Sequence, residues 1–259
     1  MDLKREEFFY SRLEDLKRCA IRGNLGISAF FSPREIFAAD EYLKRSGAQF
    51  AFFGGYGDAE RKKCYFLPEF MEGMDDITKL SEYGYSSEVA ALQIKGSGFE
   101  SLSHRAIMGS ILGLGVQRDA IGDIILISNS SAVFFCDEKL CEFFLSDLKK
   151  IGRDTVKVEC ISIDSISLPE RRFLQISDTV ASARLDCIVA ALCSLSRERA
   201  KERIEQSLVE LNYEIEERPD KEVSAPAILS IRGVGKFRVL SVSDKTKKGR
   251  YRLLAEKYL

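Results

Sequence analysis

Two short predicted helices near the C-terminus each begin at an arginine. Arg184 opens the first helix. Its apolar residues Leu185, Ile188, Val189 and Leu192 lie at i, i+3, i+4 and i+7, the spacing of residues that share one face of a helix. Ser196 is a typical N-cap residue for the second helix, and Arg197 follows it. Helix N-termini present free N–H groups and a partial positive charge, so an arginine there is well placed for a phosphate group. The pattern predicts a surface that binds a phosphate backbone.

Other residues of the same segment are predicted to support this surface. Asp186 lies two residues after Arg184, where a carboxylate is expected to cap or orient its neighbours. Lys201 follows on the second helix. Beyond it, a predicted strand at Ile228–Arg232 leads into Gly233-Val234-Gly235-Lys236-Phe237-Arg238, whose glycines allow a close backbone approach and whose cations are expected to face outward.

The charge distribution agrees with a polyanionic partner. The net charge of the 259 residues is −1, but residues 225–259 contain nine Lys or Arg residues against Asp244 and Glu256. Residues 1–167 hold 21 basic and 26 acidic residues. Such asymmetry favours a polyanion as the partner of the C-terminal part, although a solvated basic tail would produce the same count.

The rest of the chain is predicted to contain an N-terminal helical unit over 1–47 and a mixed α+β part after it. A helix is expected over 2–22, and Ser32, Pro33 and Glu35 mark the start of another. Two β-rich runs flank the sequence GGYGDAER and predict a hairpin. A βαββαβ series, typical of a ferredoxin-like domain, follows at Val89–Lys95, Ser103–Leu114, Asp123–Ser128, Ala132–Cys136, Glu138–Ile151 and Val156–Ile163.

Residues that usually perform catalysis or bind metals are few. Seven scattered cysteines without a C-x-x-C pair favour free thiols in a reducing cytosol, and a single histidine makes a Cys/His zinc site improbable. His104 could pair with Asp123 as acid and base, but capping or packing at a helix start is the simpler interpretation. We therefore predict no catalytic residue, no metal and no cofactor. The charged N-terminus predicts a helix and no signal peptide, and no apolar run is long enough to span a membrane.

Residues 184–238 resemble the S4 domain, a small RNA-binding module. The resemblance is found in Arg184-Leu185-Asp186, Ser196-Arg197 with Ala200, Leu208-Val209 leading to Asn212, and Ile231-Arg232-Gly233 followed by Gly235-Lys236-Phe237. The chain departs from that family at Ser207, where glycine is usual, and at Ala225-Pro226, where a Gly-Asp turn is usual. The resemblance implies an RNA-binding set of Arg184, Asp186, Ser196, Arg197, Lys201, Arg232, Lys236 and Arg238.

Two further blocks resemble the YlmH-type proteins. The first is FFGGYGDAERKK at 52–63, and the second contains His104-Arg105, Gly109, Leu112-Gly113-Leu114-Gly115, Arg118 and Ile121-Gly122-Asp123. The resemblance implies a cytoplasmic bacterial RNA-binding protein with a ferredoxin-like middle domain. It implies association with the large ribosomal subunit, with rRNA and with peptidyl-tRNA, in the rescue of stalled nascent chains. A possible second RNA surface comprises Arg61, Lys62, His104, Arg105 and Arg118.

The prediction is thus an α+β protein with three parts. They are a helical unit at 1–47, a ferredoxin-like domain at 48–166, and an S4-type domain at 167–259, with a join near Asp164–Pro169. We expect a monomer that binds RNA and catalyses no reaction. An RNA-modifying enzyme and a cell-division interaction protein remain alternatives.

Overall fold

The chain folds into two compact units, Met1–Pro169 and Glu170–Leu259. The computed structural model describes residues 3–74, 76–163, 166, 168–169, 171–245 and 249–259. Residues 164, 165 and 167 of the predicted join lie outside this range. Residues 1–47 belong to the same compact unit as the sheet that follows them, and the division into three parts stays a prediction.

The first part of the first unit packs two helices on a small antiparallel sheet. Its sheet has the strand order β1-β3-β2, and its elements are α1 Leu3–Ile21, β1 Gly26–Ile27, α2 Pro33–Ser46, β2 Phe50–Phe53 and β3 Lys63–Phe66. Helix α2 begins as predicted, because Ser32 and Glu35 form a reciprocal capping box. It ends at Gly47, whose φ of 64° is left-handed. Phe9, Leu13, Ala39, Leu43, Cys64 and Phe66 form the core here.

The second part of this unit is an antiparallel sheet of five strands in the order β5-β6-β4-β8-β7. Its elements are β4 Val89–Gly96, α3 His104–Gly113, β5 Ile121–Ser128, β6 Ser131–Asp137, α4 Cys141–Asp147, β7 Lys150–Ile151 and β8 Asp154–Ile161. Ser103 caps α3 by accepting a hydrogen bond from the Ala106 amide at 3.2 Å. Short 3-10 turns occur at Glu69–Met71, Ile77–Tyr83, Arg118–Ala120 and Glu138–Leu140. The βαββαβ order expected from the sequence is therefore present, with β7 as an addition.

One predicted helix is wrong at its C-terminal end. The sequence pattern predicts a helix from Glu138 to Ile151, whereas α4 ends at Asp147. Lys150 and Ile151 instead pair with Thr155 and Asp154 as a hairpin. Gly152, with a φ of 60°, allows the chain to turn between the two strands. The β7–β8 pairing and the chain reversal at Gly152 therefore replace the last turn of the predicted helix.

The two central phenylalanines of the five-stranded sheet are buried on its two faces and are not available for stacking bases. Phe134 packs with the α3 and α4 residues on one face. Phe135 packs on the other face with Phe30, and the Tyr56 ring stacks on it at a centroid distance of 5.2 Å. Each of these two adjacent phenylalanines is completely buried.

A lysine is buried inside the first unit. The Lys63 side chain is 1% exposed, and its Nζ donates a hydrogen bond to Asp137 Oδ2 at 2.8 Å. Glu88 Oε2 lies 3.8 Å from the same Nζ, and the Phe30 ring centroid lies 5.5 Å away. Burial alone would raise the pKa of Asp137, but the hydrogen bond and charge of Lys63, together with Lys139, lower that pKa overall. The pair links β3 to the end of β6.

The second unit packs two helices on one face of a six-stranded sheet, with strand order β11-β10-β12-β13-β14-β9. Its elements are β9 Phe173–Val180, α5 Leu185–Cys193, α6 Arg197–Glu205, β10 Val209–Leu211, β11 Glu214–Ile215, β12 Ala227–Ile231, β13 Gly235–Lys245 and β14 Tyr251–Tyr258. The predicted inward face of α5 is buried throughout. Leu208 follows the end of α6.

Ser207 adopts a φ of 57°, the left-handed conformation in which glycine is favoured. This conformation gives a physical reason for the glycine that the S4 family usually has at that position.

In the part of the chain that the structure describes, no helix combines the length and the apolar character needed to cross a bilayer.

Candidate nucleic-acid interface

The two predicted arginines meet at one buried carboxylate. Asp186 is completely buried in the first turn of α5. Arg184 Nε and Nη2 donate to its two oxygens, each at 3.2 Å. Arg197 Nε donates to Asp186 Oδ2 at 2.8 Å. We call Arg184 and Arg197 the arginine pair, and Asp186 holds both members although they belong to different helices.

The arginine pair is positioned by the backbone around it. Arg184 occupies the N-cap position of α5, and the Leu185 and Asp186 amides donate to the Lys221 and Pro219 carbonyls at 2.8 and 2.9 Å. Ser196 caps α6 by accepting a hydrogen bond from the Arg199 amide at 3.3 Å, as predicted. This cap places Arg197 at the first position of α6. Both arginines therefore extend from helix starts whose backbone is fixed.

The electrostatics keep Asp186 charged and the arginines available. Burial alone would raise the pKa of Asp186, but the hydrogen bonds from Arg184 and Arg197 lower it overall. The hydrogen bond to Asp186 raises the pKa of Arg197. The Arg184 and Arg197 side chains remain 39% and 50% exposed. A guanidinium has five N–H donors, so each can bind Asp186 and still offer donors to a phosphate.

Three further cations of the second unit differ in position: Lys201 and Arg250 lie near the arginine pair, and Arg232 lies beside the opposite, C-terminal end of α6. Lys201 lies one helical turn after Arg197 and is half-buried. The exposed Arg232 lies in the turn between β12 and β13, and Arg203 Nη1 donates to its carbonyl at 3.1 Å. Arg250 lines a cavity of about 370 Å³ together with Arg197, and its Nη2 donates to the Thr179 carbonyl at 2.5 Å. Sequence reasoning missed Arg250 individually, although it lies in the basic run from Lys245 to Arg252.

Lys236 and Arg238 do not join the arginine pair. They alternate along β13 with Phe237 and Val239, which are buried against α5 and α6, so the two cations lie on the opposite face of the sheet. Lys236 Nζ lies 5.1 Å from the Tyr258 ring centroid. Arg238 Nη2 binds Glu256 Oε2 at 2.6 Å. The expectation of a single basic edge that includes these two residues is therefore wrong, because strand alternation separates them from the helices.

The possible second RNA surface is divided in the same way. Arg61 is directed inward, since its guanidinium donates to the carbonyls of Ile121, Phe30 and Arg118 at 2.8, 3.0 and 3.2 Å. Arg118 Nη1 donates to the Ile121 carbonyl at 2.9 Å. Burial lowers the pKa of Arg118 to about 10, and the nearby Arg61 charge adds to this. Both arginines stabilise the fold where an RNA-contacting role was expected.

The remaining three members of that set are not directed inward in this way. His104 and Arg105 are exposed at the start of α3. Lys62 is half-buried, and its carbonyl accepts a hydrogen bond from the Phe31 amide at 2.8 Å. Sequence reasoning also missed the exposed cations Lys150 and Arg153, because it placed residues up to 151 in a helix. The glycine at 152 was the signal for a turn there.

The two blocks that resemble the YlmH-type proteins, around FFGGYGDAER and Ile121-Gly122-Asp123, contact each other. Asp123 Oδ2 accepts hydrogen bonds from Tyr56 Oη at 2.8 Å and from the Glu60 amide at 2.6 Å, and Oδ1 accepts one from the Arg61 amide at 3.1 Å. A Cβ on Gly122 would lie 2.8 Å from the Phe30 ring. These contacts fix the glycine-rich loop on the sheet. They also occupy the carboxylate that could have formed an acid–base pair with His104.

Within the described residues, no group of three or more His, Cys, Asp or Glu side chains could hold a metal ion. The arginine pair itself offers N–H donors that Asp186 holds in place, and such donors suit the binding of an anion. A backbone of phosphates fits such donors.

Comparison with known proteins gives a family match in the first unit and a relative that is similar over most of the chain. Residues 85–165 match the family described as "Putative RNA-binding domain in YlmH". The chain is 28% identical over 233 residues to the ribosome-associated protein quality control protein P2 of Bacillus subtilis (strain 168), a match that covers 89% of this chain and 86% of that protein. The resemblance to the YlmH-type proteins is confirmed.

A solved structure supports the fold. The cell division protein YlmH from Streptococcus pneumoniae superimposes with a TM-score of 0.51 and 20% sequence identity. The match covers 64% of this chain and 97% of that one. At this level of identity the likeness concerns the fold, which is YlmH-like and mixed α/β.

Proposed function

We propose that this protein is a non-enzymatic RNA-binding protein that associates with the large ribosomal subunit and peptidyl-tRNA and assists the rescue of stalled nascent chains. One observation supports the RNA-binding part most strongly. The buried Asp186 holds Arg184 and Arg197 at two adjacent helix starts, with donors left for phosphate. Nucleic-acid backbones are recognised by such arginines and helix ends.

The biological setting is proposed from similarity. The B. subtilis relative is named for ribosome-associated quality control, and the matched family is described as an RNA-binding domain. We propose the same setting here, in the cytoplasm, with rRNA and tRNA as partners. The protein is proposed to act as a monomer. The strand order β5-β6-β4-β8 supports a ferredoxin-like middle domain. The packing of α5 and α6 on the six-stranded sheet of the second unit supports an S4-type C-terminal domain.

The salt dependence of RNA binding tests the role of the arginine pair. We expect the Arg184→Ala/Arg197→Ala double variant to weaken binding and to flatten the plot of log K against log salt by about 1.5. The reason is that each lost phosphate contact removes about 0.7 to 0.9 from that slope. The measurement is filter binding of labelled large-subunit rRNA to the full chain between low and moderate salt.

The matched control is Arg218→Ala. Arg218 lies in the same unit, is 66% exposed and binds Glu216 instead of Asp186. The Arg218→Ala variant should leave the RNA affinity and the slope of log K against log salt unchanged within experimental error. If the double variant keeps the slope of the unmodified protein, the arginine pair does not contact phosphates. Sedimentation with a partner protein after RNase treatment would then favour the interaction-protein alternative.

A further inference from the structure

Helix α3 and the β7–β8 hairpin form one continuous exposed region of the first unit. The Gly152 amide in the hairpin turn donates to Ser110 Oγ on α3 at 3.3 Å, which fixes the turn beside the helix. Both elements lie inside residues 85–165, the segment that matches the RNA-binding family. The arginine pair belongs to the other unit.

Exposed cations border this region on two sides. Arg105 lies on the first turn of α3, and Lys150 and Arg153 lie on the hairpin. Lys149, also exposed, precedes the hairpin, and its Nζ donates to the Leu145 carbonyl at 2.8 Å. The acidic residues nearby are Glu100, whose carboxylate approaches Gly152, the exposed Asp147, and the buried Asp154 of the hairpin, which accepts a hydrogen bond from Ser97 Oγ. Basic residues therefore outnumber acidic residues in this region, and such a surface attracts a polyanion.

The helix surface between these cations carries few side-chain atoms, because Gly109 and Gly113 lie there beside the small Ala106. Gly109 and Gly113 lie one turn apart on α3, both exposed, and a Cβ on either would meet no atom within 4 Å. At 100° per residue, they lie between the side of Ser110, which contacts the hairpin, and the side of Arg105. Glycine weakens a helix relative to alanine, and nothing within the described residues requires it here. Its effect is to leave room for a close external contact.

We propose that this surface, formed by Arg105, Lys150 and Arg153 around the bare face of α3, binds the phosphate backbone of RNA. It would be a second contact, distinct from the arginine pair. The proposal deepens the proposed function and rests on it for the choice of RNA as the polyanion. The cations supply the attraction, and the glycines allow the backbone to approach the helix.

Charge reversal tests the attraction. The variant Arg105→Glu/Arg153→Glu should weaken binding of purified large-subunit rRNA to the full chain at least tenfold in a filter-binding assay. The matched control is Lys44→Glu/Lys79→Glu, which changes net charge equally on exposed residues of the same unit that pair with Asp40 and Asp76. The control should change affinity less than threefold. Equal losses in the two variants would overturn the proposal, because they would report net charge alone.

A glycine variant separates binding from folding. Gly109→Leu should leave the melting temperature unchanged or raise it by a few degrees, because leucine is the better helix former. It should nevertheless weaken rRNA binding at least fivefold, because its side chain fills the bare face. Unchanged affinity in both Gly109→Leu and the charge-reversal variant would overturn the proposal.

Two outcomes distinguish this proposal from the proposed function. If Arg184→Ala/Arg197→Ala weakens binding while the α3 variants do not, the second surface is absent and the proposed function stands. If the unmodified protein does not bind rRNA, the proposed function itself fails. Labelled polyglutamate serves as the other polyanion, and equally tight binding of it would show a docking site for acidic protein and overturn the assignment to RNA.

Discussion

Replacing Asp137 with alanine should lower the free energy of unfolding by about 3–5 kcal/mol. The change leaves the Lys63 ammonium buried without its hydrogen-bonded partner at 2.8 Å. Removing one member of a buried ion pair is costly because the remaining charge is neither solvated nor compensated. Glu88, 3.8 Å from Lys63, compensates in part and favours the lower end of the range. Urea unfolding followed by circular dichroism measures the loss, since the chain has no tryptophan.

The double variant Lys63→Met/Asp137→Ala is the control for this loss. Methionine places an apolar side chain where the charge was, so much of the lost stability should return. A loss below about 1 kcal/mol in the single variant would contradict the assignment of a buried ion pair. Because the pKa of Asp137 is lowered in the fold, its contribution is complete above the ordinary aspartate pKa. It should disappear as the pH falls through the lowered value.

The second large effect is expected at Asp186. Replacing Asp186 with alanine should weaken rRNA binding about tenfold, equivalent to about 1.4 kcal/mol. Charge alone predicts the opposite, because the change removes a carboxylate beside two cations and makes the surface more positive. The loss is expected because Arg184 and Arg197 would no longer be held at 3.2 and 2.8 Å by a common buried group. The outcome therefore separates positioning from net charge.

Glu216→Ala is the matched control for the Asp186 variant. It also removes a carboxylate that binds an arginine of the same unit, Arg218, but one outside the arginine pair. Its rRNA affinity should stay the same or rise slightly. Tighter binding by both variants would show that Asp186 only reduces the local positive charge. Asp186→Ala should also cost about 2 kcal/mol of stability through lost charge-assisted hydrogen bonds.

Stability of the second unit should depend on pH through the same carboxylate. The pKa of Asp186 is lowered in the fold, so its stabilising contribution is present above the ordinary aspartate value of about 4 and is lost at lower pH.

Local patterns predicted the elements that local chemistry determines. The capping box at Ser32 and the cap at Ser196 both form, and the apolar face of α5 is buried as its spacing indicates. The same reasoning found Arg184 and Arg197. It could place them at helix starts because N-caps are short-range features.

Predictions that depended on distant parts of the chain were less successful. The inward direction of Arg61 follows from carbonyls of Phe30 and Ile121, which no pattern near residue 61 reveals. The separation of Lys236 and Arg238 from the arginine pair follows from the face of β13 that α5 and α6 cover. Tertiary packing determines both, so charge and spacing alone could not assign these residues to surfaces.

Co-sedimentation with purified large ribosomal subunits tests the central claim most directly. The full chain and its Arg184→Ala/Arg197→Ala variant are compared on sucrose gradients over a series of salt concentrations. We expect the unmodified protein to travel with the subunit at low salt and to leave it as the salt concentration rises. The variant should stay at the top of the gradient. Equal co-sedimentation of both proteins at every salt concentration would contradict the role of the arginine pair. Absence of both from the subunit would contradict the ribosomal function.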